Sequence, residues 1–100
     1  MDFKTTDQQS GKEIHISGSF TFNDNPKFKQ IVELVETSHP KALKLEVSGM
    51  TFIDSAGLGM LLLLRDVCEK ENIQVQIDGA QGQVARIFDI SKFDQLFAMS

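Results

Sequence analysis

The sequence contains few of the features that mark secreted, membrane-bound or nucleic-acid-binding proteins. It has one cysteine, Cys68, so it cannot form an intramolecular disulfide. Its longest apolar run, residues 56–64, is far shorter than the roughly 20 residues that span a bilayer. Ten Lys and Arg against 14 Asp and Glu give a net charge of −4. Because nucleic acids and anionic membranes attract clustered basic residues, we expect neither as a partner.

What remains is the composition of an ordinary folded module. Hydrophobic residues make up 41% of the 100 residues and charged residues 24%, which excludes disorder and fibrous repeats. A chain of this length supports one compact core, so we predict a single domain over residues 1–100. The first 20 residues mix charged and polar groups and contain no signal-peptide core, so we expect a cytoplasmic protein.

The hydrophobic pattern predicts an α/β fold in the order β-β-α-β-α-β-α-α. Alternating apolar and polar residues predict four strands, near residues 3–5, 13–17, 43–53 and 73–77. Apolar residues at helical spacing predict four helices, near residues 26–38, 55–71, 84–88 and 93–97. Asp24 or Asn25 before Pro26 is a typical helix cap. We expect a four- to five-stranded mixed sheet with helices packed on its one apolar face.

The segment at residues 52–59 joins the third strand to the second helix, a common location for functional residues. One interpretation is structural: Asp54 or Ser55 caps the helix, and the two glycines, Gly57 and Gly59, allow close packing. The other is functional and follows from helical phase. At about 100° per residue, Ser55 shares the solvent face with Leu58 and Leu62.

The charged residues of the same helix mark that solvent face, and its apolar residues mark the opposite one. The predicted solvent face carries Arg65, Asp66 and Glu69; the predicted core stripe carries Met60, Leu61, Leu64, Val67 and Cys68. A hydroxyl beside exposed leucines is typical of a small protein-binding patch. The alternative is that another helix covers Leu58 and Leu62.

The sequence of residues 50–62 resembles the signature of STAS-domain anti-sigma factor antagonists of the bacterial sporulation and stress-response type. Residues 17–20 fit that family's glycine-containing turn after the second strand, and residues 88–93 fit its C-terminal helical region. The resemblance implies a STAS fold and implies that Ser55, directly after Asp54, is the phosphorylated serine. Many members carry a second hydroxyl, Ser or Thr, at the position of Ala56. Because this chain has alanine there, Ser55 is the only hydroxyl in the turn at residues 54–57.

The resemblance also implies partners and a mechanism known as partner switching. The unphosphorylated form would bind an anti-sigma factor, itself often a serine kinase of the histidine-kinase-like ATPase type, and a metal-dependent serine phosphatase would reset the serine. The chain itself would hold no cofactor and no metal. The aromatic segment at residues 20–24 differs from the more acidic one of well-known members; its two phenylalanines form a hydrophobic contact loop in one interpretation, and one of them packs on the sheet in the other. The residues expected to contact a partner are Asp54, Ser55, Gly57, Leu58, Gly59, Leu62, Phe20, Phe22 and Asp24.

Other functions have less support in the sequence. A Ser55 hydrolase would need a Gly-x-Ser-x-Gly elbow, which is absent, so we do not expect an enzyme. His15 and His39 lack nearby ligands for zinc, and residues 79–82 lack the lysine of a phosphate loop. Cys68 is expected in the core, with redox sensing as the alternative. Two rival functions stay open: a non-phosphorylated STAS subunit that regulates a transporter ATPase, and a small-ligand sensor that uses the open sheet face.

Overall fold

The computed structural model describes residues 1–9 and 11–100. Within these residues, five strands form one sheet: β1 (Asp2–Gln8), β2 (Gly11–Phe20), β3 (Ala42–Ile53), β4 (Gln74–Asp78) and β5 (Ala98–Met99). Three α-helices lie between the strands from β2 to β5: α1 (Asn25–Ser38), α2 (Ser55–Lys70) and α3 (Gly82–Ile90). Two short 3₁₀ turns cover Phe22–Asp24 and Phe93–Gln95.

The sheet is mixed, as the pattern predicts. Its strands lie in sequence order, with β1 antiparallel to β2 and every other neighbouring pair parallel. The predicted last helix is wrong in part. Only Phe93–Gln95 forms a helical turn, after which the chain extends and pairs with β4 as β5. Phe93 and Phe97 are buried and stack on each other, so their spacing reflects core packing at a turn and not a longer helix.

The core lies on one face of the sheet, where all three helices pack. Most of the alternating residues of β2, β3 and β4 that point to this face are completely or almost completely buried, and Val75 is partly buried; the buried ones are Ile14, Ile16, Leu43, Leu45, Val47 and Ile77. The intervening residues form a polar open face, which includes His15, Lys44 and Glu46. Because of this period-two alternation, one face of the sheet is apolar and is buried by the helices, while the other face is polar and remains in contact with solvent. The predicted single-sided packing is confirmed.

Gly18 lies inside strand β2, whereas the family resemblance implied that residues 17–20 form a turn after that strand. β2 continues to Phe20, and its pairing with β3 shifts register between Gly18 and Ser19. Gly18 has a φ of 83°, a left-handed value that glycine adopts without steric cost. The glycine therefore produces an irregularity in β2, which pairs with β3 as far as Phe20 and Ile53.

Asp24 precedes helix α1 but does not cap it with its side chain, contrary to one expectation. Its carboxylate accepts hydrogen bonds from the terminal ammonium of Met1 and from the backbone amide of Thr21, both at 2.8 Å. Burial by itself raises the pKa of Asp24, but these bonds and the positive charges of the terminus and Lys27 lower it overall. Asp24 thus holds the 3₁₀ turn, and Pro26 lies in the first turn of helix α1, where its missing amide hydrogen costs no helical bond.

Candidate functional site

Helix α2 begins directly after β3, and Asp54 is its cap. The Oδ1 atom of Asp54 accepts a hydrogen bond from the amide of Gly57 at 2.8 Å. The Asp54 carbonyl accepts the first helical bond, from the amide of Leu58 at 3.0 Å. Of the two capping candidates, Asp54 therefore fills the role, and the Ser55 hydroxyl is left for other interactions.

The same carboxylate also holds a second segment of the chain. The Oδ2 atom of Asp54 accepts a hydrogen bond from the amide of Phe22 at 3.2 Å. The amide of Asp54 in turn donates to the carbonyl of Phe20 at 3.3 Å. The 3₁₀ turn at Phe22–Asp24, which we call the Phe22 turn, is thereby fixed beside the start of α2. Sequence analysis did not find this connection.

Gln83, at the start of α3, fixes the end of β3 from the other side. Its side-chain amide donates to the carbonyl of Ile53 and accepts from the amide of Ile53, both at 3.1 Å. Gln83 thereby bonds the backbone of β3 in the way a neighbouring strand would, beyond the point at which β4 ends its pairing. The backbone of Ile53 is therefore held on both sides, by β2 and by Gln83, and the backbone of Asp54 is bonded to Phe20.

The two glycines of the segment differ in their surroundings. Gly57 is buried, and a Cβ atom there would lie 2.8 Å from Cγ1 of Ile53 and from the carbonyl oxygen of Phe20. The expectation that Gly57 contacts a partner is therefore wrong, because its position is occupied by the packing of α2 on the sheet. Gly59 is exposed, and a Cβ atom there would have no neighbour within 4 Å. Gly59 therefore remains accessible to a partner, as expected of a residue in the predicted contact set.

Ser55 is the first residue of α2, and it is exposed. The first amides of a helix lack partners within the helix, and the helix dipole concentrates positive potential there. An acidic group attached to the Ser55 oxygen would therefore meet a favourable field. The Ser55 hydroxyl is thus accessible at a helix end where negative charge is favoured.

The helical phase predicted for α2 is largely confirmed. Its buried side chains include four of the five predicted core residues, namely Met60, Leu61, Leu64 and Cys68, and the fifth, Val67, is partly buried. Leu58 and Leu62 pack against the core and remain partly accessible. Ser55, Leu58, Gly59 and Leu62 have the spacing of one helical face.

Sequence analysis did not place Leu63, which is 54% exposed. It lies one turn after Gly59 and so extends the same exposed region. The run of four leucines at residues 61–64 is the signal that could have found it, because one helix facing a core on one side cannot bury four consecutive side chains. We call the region formed by Ser55, Leu58, Gly59, Leu62 and Leu63 the α2 surface.

Arg65 is not a free solvent residue, contrary to expectation. Its Nε donates to the carbonyl of Leu96 at 2.7 Å, and its side chain is 29% exposed. Arg65 thus attaches α2 to the C-terminal segment, whereas Asp66 and Glu69 are exposed as expected. The C-terminal segment therefore borders the α2 surface on one side.

The two phenylalanines of the aromatic segment have different roles. Phe20 is completely buried and stacks on Phe28 with ring centroids 5.3 Å apart. Its proposed contact with a partner is wrong, because a strand position that faces the core leaves no accessible side chain. Phe22 is 69% exposed and is presented by the turn that Asp54 holds. The Asp24 side chain is only 16% exposed, and its carboxylate is already bonded to Met1 and Thr21. Of the three residues of this segment that were expected to contact a partner, Phe22 therefore offers the most accessible surface.

The remaining candidates lie outside this region. His15 is on the open sheet face beside Glu13, and His39 follows α1 with a φ of 46° and contacts Glu71 at 3.1 Å. No cluster of three metal-ligating side chains occurs within residues 1–9 and 11–100. Burial raises the pKa of the Cys68 thiol to about 11, which favours a structural role over redox sensing. In the same ranges, no helix combines the length and apolar character of a membrane span.

Known proteins with this fold include regulators and a transporter-family protein. The structure of an anti-sigma factor antagonist from Mycobacterium paratuberculosis superposes on this chain with a TM-score of 0.86 and 20% sequence identity. The match covers 98% of this chain and 83% of that protein's chain. A sulfate transporter family protein from Wolinella succinogenes matches 90% of this chain and 73% of its own, with a TM-score of 0.75 and 20% identity. At such identities the likeness shows the fold alone.

Sequence comparison identifies the family. A STAS-domain containing protein of Pseudomonas aeruginosa is 38% identical over 87 residues, which cover 87% of this chain and 85% of that protein. The STAS domain model matches residues 3–100. The resemblance of residues 50–62 to a STAS signature is thus confirmed at the level of the domain. With its five-stranded mixed sheet and the α2 helix that begins after β3, the chain belongs to the STAS domain family.

Proposed function

We propose that this protein is an anti-sigma factor antagonist that acts by partner switching at Ser55. In its unphosphorylated form it binds an anti-sigma factor through the α2 surface and Phe22. Phosphorylation of Ser55 ends that interaction. The observation that carries the proposal is the position of Ser55, an exposed hydroxyl at the first residue of α2 and on the same face as the partly accessible Leu58 and Leu62.

The modification requires a separate serine kinase and ATP. The Ser55 oxygen attacks the γ-phosphorus of ATP, an O–P bond forms, and the bond from that phosphorus to the bridging oxygen of ADP breaks. The hydroxyl proton passes to a base of the kinase, and ADP leaves. A metal-dependent serine phosphatase reverses the state by hydrolysis, with water supplying the oxygen of the released phosphate. ATP and metal thus belong to these partners, and this chain acts as a binding module.

Phosphate changes the α2 surface chiefly through charge. A phosphoserine adds about −1.5 to −2 charges and three acceptor oxygens. At the start of α2 the helix tolerates this charge, but a partner packed on Leu58 and Leu62 would have to desolvate it beside Asp54. A loss of about 3 kcal/mol in binding corresponds to roughly a hundredfold weaker affinity. Such a change is large enough to release a partner.

Membership of the STAS family and the fold shared with an anti-sigma factor antagonist support this proposal. The likeness to a sulfate transporter family protein keeps the alternative of an assembly subunit as an outcome of the test. The proposal also implies a cytoplasmic protein, because sigma factors act on the transcription machinery of the cell.

The test is phosphorylation of the purified protein by an anti-sigma kinase of the histidine-kinase-like ATPase type from the same genome. With ATP, mass spectrometry should detect one phosphate, on Ser55. Ser55→Ala should accept none. Ser19→Ala is the matched control, because it removes another exposed serine near the same end of the sheet, and it should accept phosphate like the wild type. A protein that no such kinase modifies would contradict the proposal and favour the assembly subunit.

A further inference from the structure

We infer that Asp54 is a positioning residue that couples the phosphorylation state of Ser55 to the position of Phe22. This inference rests on the proposed modification of Ser55 and adds a second route by which phosphate alters the surface. One carboxylate serves both elements: its Oδ1 caps α2 through Gly57, and its Oδ2 holds the Phe22 turn. A change in the charge beside Asp54 can therefore affect both hydrogen bonds, the cap of α2 and the bond to the Phe22 turn.

Phosphate on Ser55 would lie next to the Asp54 carboxylate in the chain. The two groups carry charge of the same sign, and both are attracted to the amides at the start of α2. The phosphate oxygens can reach those amides, which lack partners within the helix. The carboxylate is therefore repelled and meets competition for its hydrogen bonds.

The bonds of Asp54 differ in how readily they yield. The cap bond to Gly57 is 2.8 Å long and belongs to a helix that is pressed against the sheet, where even a Cβ atom on Gly57 has no room. The bond from the amide of Phe22 is 3.2 Å long and holds a three-residue turn at the surface. We therefore expect the Phe22 bond to weaken and the helix to stay in place.

The backbone at the modification site has little freedom to respond in another way. Ile53 makes two backbone hydrogen bonds with the Gln83 side chain, one accepted and one donated, and the amide of Asp54 donates to the carbonyl of Phe20. Since these contacts fix the backbone at the end of β3, a response to phosphate has to come from the Asp54 side chain and its hydrogen bond to the Phe22 turn. Phosphorylation would then both charge the α2 surface and displace the exposed Phe22 beside it.

The test compares hydrogen exchange of the Phe22 amide in protein with serine or phosphoserine at position 55, the latter incorporated during translation. Phosphoserine should speed exchange of this amide by about tenfold, because a hydrogen bond to a charged acceptor is weakened. The amide of Thr21 is an internal control, because it is bonded to Asp24 and should change little. If the exchange rate of the Phe22 amide were the same with serine and with phosphoserine, the inference would be overturned by this comparison alone.

The Asp54→Asn variant tests whether the carboxylate is the connection. Asparagine has one oxygen acceptor, which can keep the cap bond to Gly57, but its NH2 group cannot accept the bond from the Phe22 amide and carries no charge for a phosphate to repel. The Phe22 amide should therefore exchange faster in this variant from the start, and phosphoserine should no longer speed its exchange. Asp24→Asn is the matched control: it removes the other carboxylate that holds the same turn, and the response to phosphoserine should persist. An equal response in Asp54→Asn would mean that the phosphate acts directly on Phe22, which contradicts coupling through Asp54.

The outcomes separate this inference from the proposed function. If phosphoserine weakens binding of the anti-sigma factor while the Phe22 amide is unaffected, partner switching stands and the inference fails. If the Phe22 amide responds but the affinity does not, the coupling stands and the proposed function fails.

Discussion

Gly57 and Gly59 lie two residues apart on helix α2 and differ in the space around them. A Cβ atom on Gly57 would lie 2.8 Å from the carbonyl oxygen of Phe20 and from Cγ1 of Ile53, whereas a Cβ atom on Gly59 would enter open space. The first glycine therefore sets the distance between α2 and the sheet, and with it the position of Ser55. The second glycine carries no such packing constraint.

Alanine substitutions at these two positions should have opposite effects on stability. Gly57→Ala should lower the free energy of unfolding by about 1–3 kcal/mol, because α2 or the end of β2 must shift. Gly59→Ala should raise it by up to about 1 kcal/mol, since alanine favours a helix over glycine. Urea unfolding measures both. A tolerated Gly57→Ala would show that α2 is not closely packed there.

Two neighbouring leucines of α2 provide a matched test of the core boundary. Leu64 is completely buried and Leu63 is 54% exposed. Leu64→Ala should lower the free energy of unfolding by about 2–5 kcal/mol through loss of buried surface and formation of a cavity. Leu63→Ala should change it by no more than about 0.5 kcal/mol. Equal losses in urea unfolding would contradict the orientation of the helix.

Asp78 should make the stability of the fold depend on pH in acid. A hydrogen bond from the Ser100 hydroxyl is the main cause that lowers the pKa of Asp78; burial opposes it, and bonds from Gln76 and Lys44 add to the lowering. A native pKa below the unfolded value of about 3.9 stabilises the fold above that pH, and the contribution is lost as the pH falls through the native pKa.

Asp78→Asn should therefore be less stable than the wild type near neutral pH, and the difference should shrink as the pH falls below about 4. Ser100→Ala should produce a smaller change of the same kind, because it removes one of the bonds to Asp78. Urea midpoints between neutral pH and acid measure this dependence. A difference that is the same at every pH would contradict the stabilising role of the ionised carboxylate.

Cys68 should react with thiol reagents only when the protein unfolds. The side chain is completely buried, and burial raises the pKa of its thiol to about 11, so thiolate is scarce at neutral pH. Labelling by a disulfide reagent should be slow in the native protein and fast in urea. Rapid labelling of the native protein, without loss of structure, would favour the redox-sensor interpretation.

The parts of this structure that could be predicted from sequence are those governed by local periodicity. The alternation in β2, β3 and β4 indicates one buried face, and the helical phase of α2 separates the buried Leu64 from the accessible Leu62. Local hydrogen-bonding preferences indicate a cap at Asp54 or Ser55 and a helix that starts near Ser55, and the structure selects Asp54 as the cap.

The connections that hold the site together could not be predicted in this way. The bond between Phe22 and Asp54 joins residues 32 positions apart, and the bonds between Gln83 and Ile53 join residues 30 positions apart. Such contacts between a side chain and a distant backbone leave no period in the sequence. Phe20 and Phe22 illustrate the same limit, because two similar residues in one short segment become a core residue and a surface residue.

The affinity of the anti-sigma factor for the two states of Ser55 tests the central claim most directly. Calorimetry would compare enzymatically phosphorylated protein, unmodified protein and Ser55→Ala with the same purified partner. The unmodified protein and Ser55→Ala should bind alike, and the phosphorylated protein roughly a hundredfold more weakly. Equal affinity of the phosphorylated and unmodified forms would contradict partner switching at Ser55.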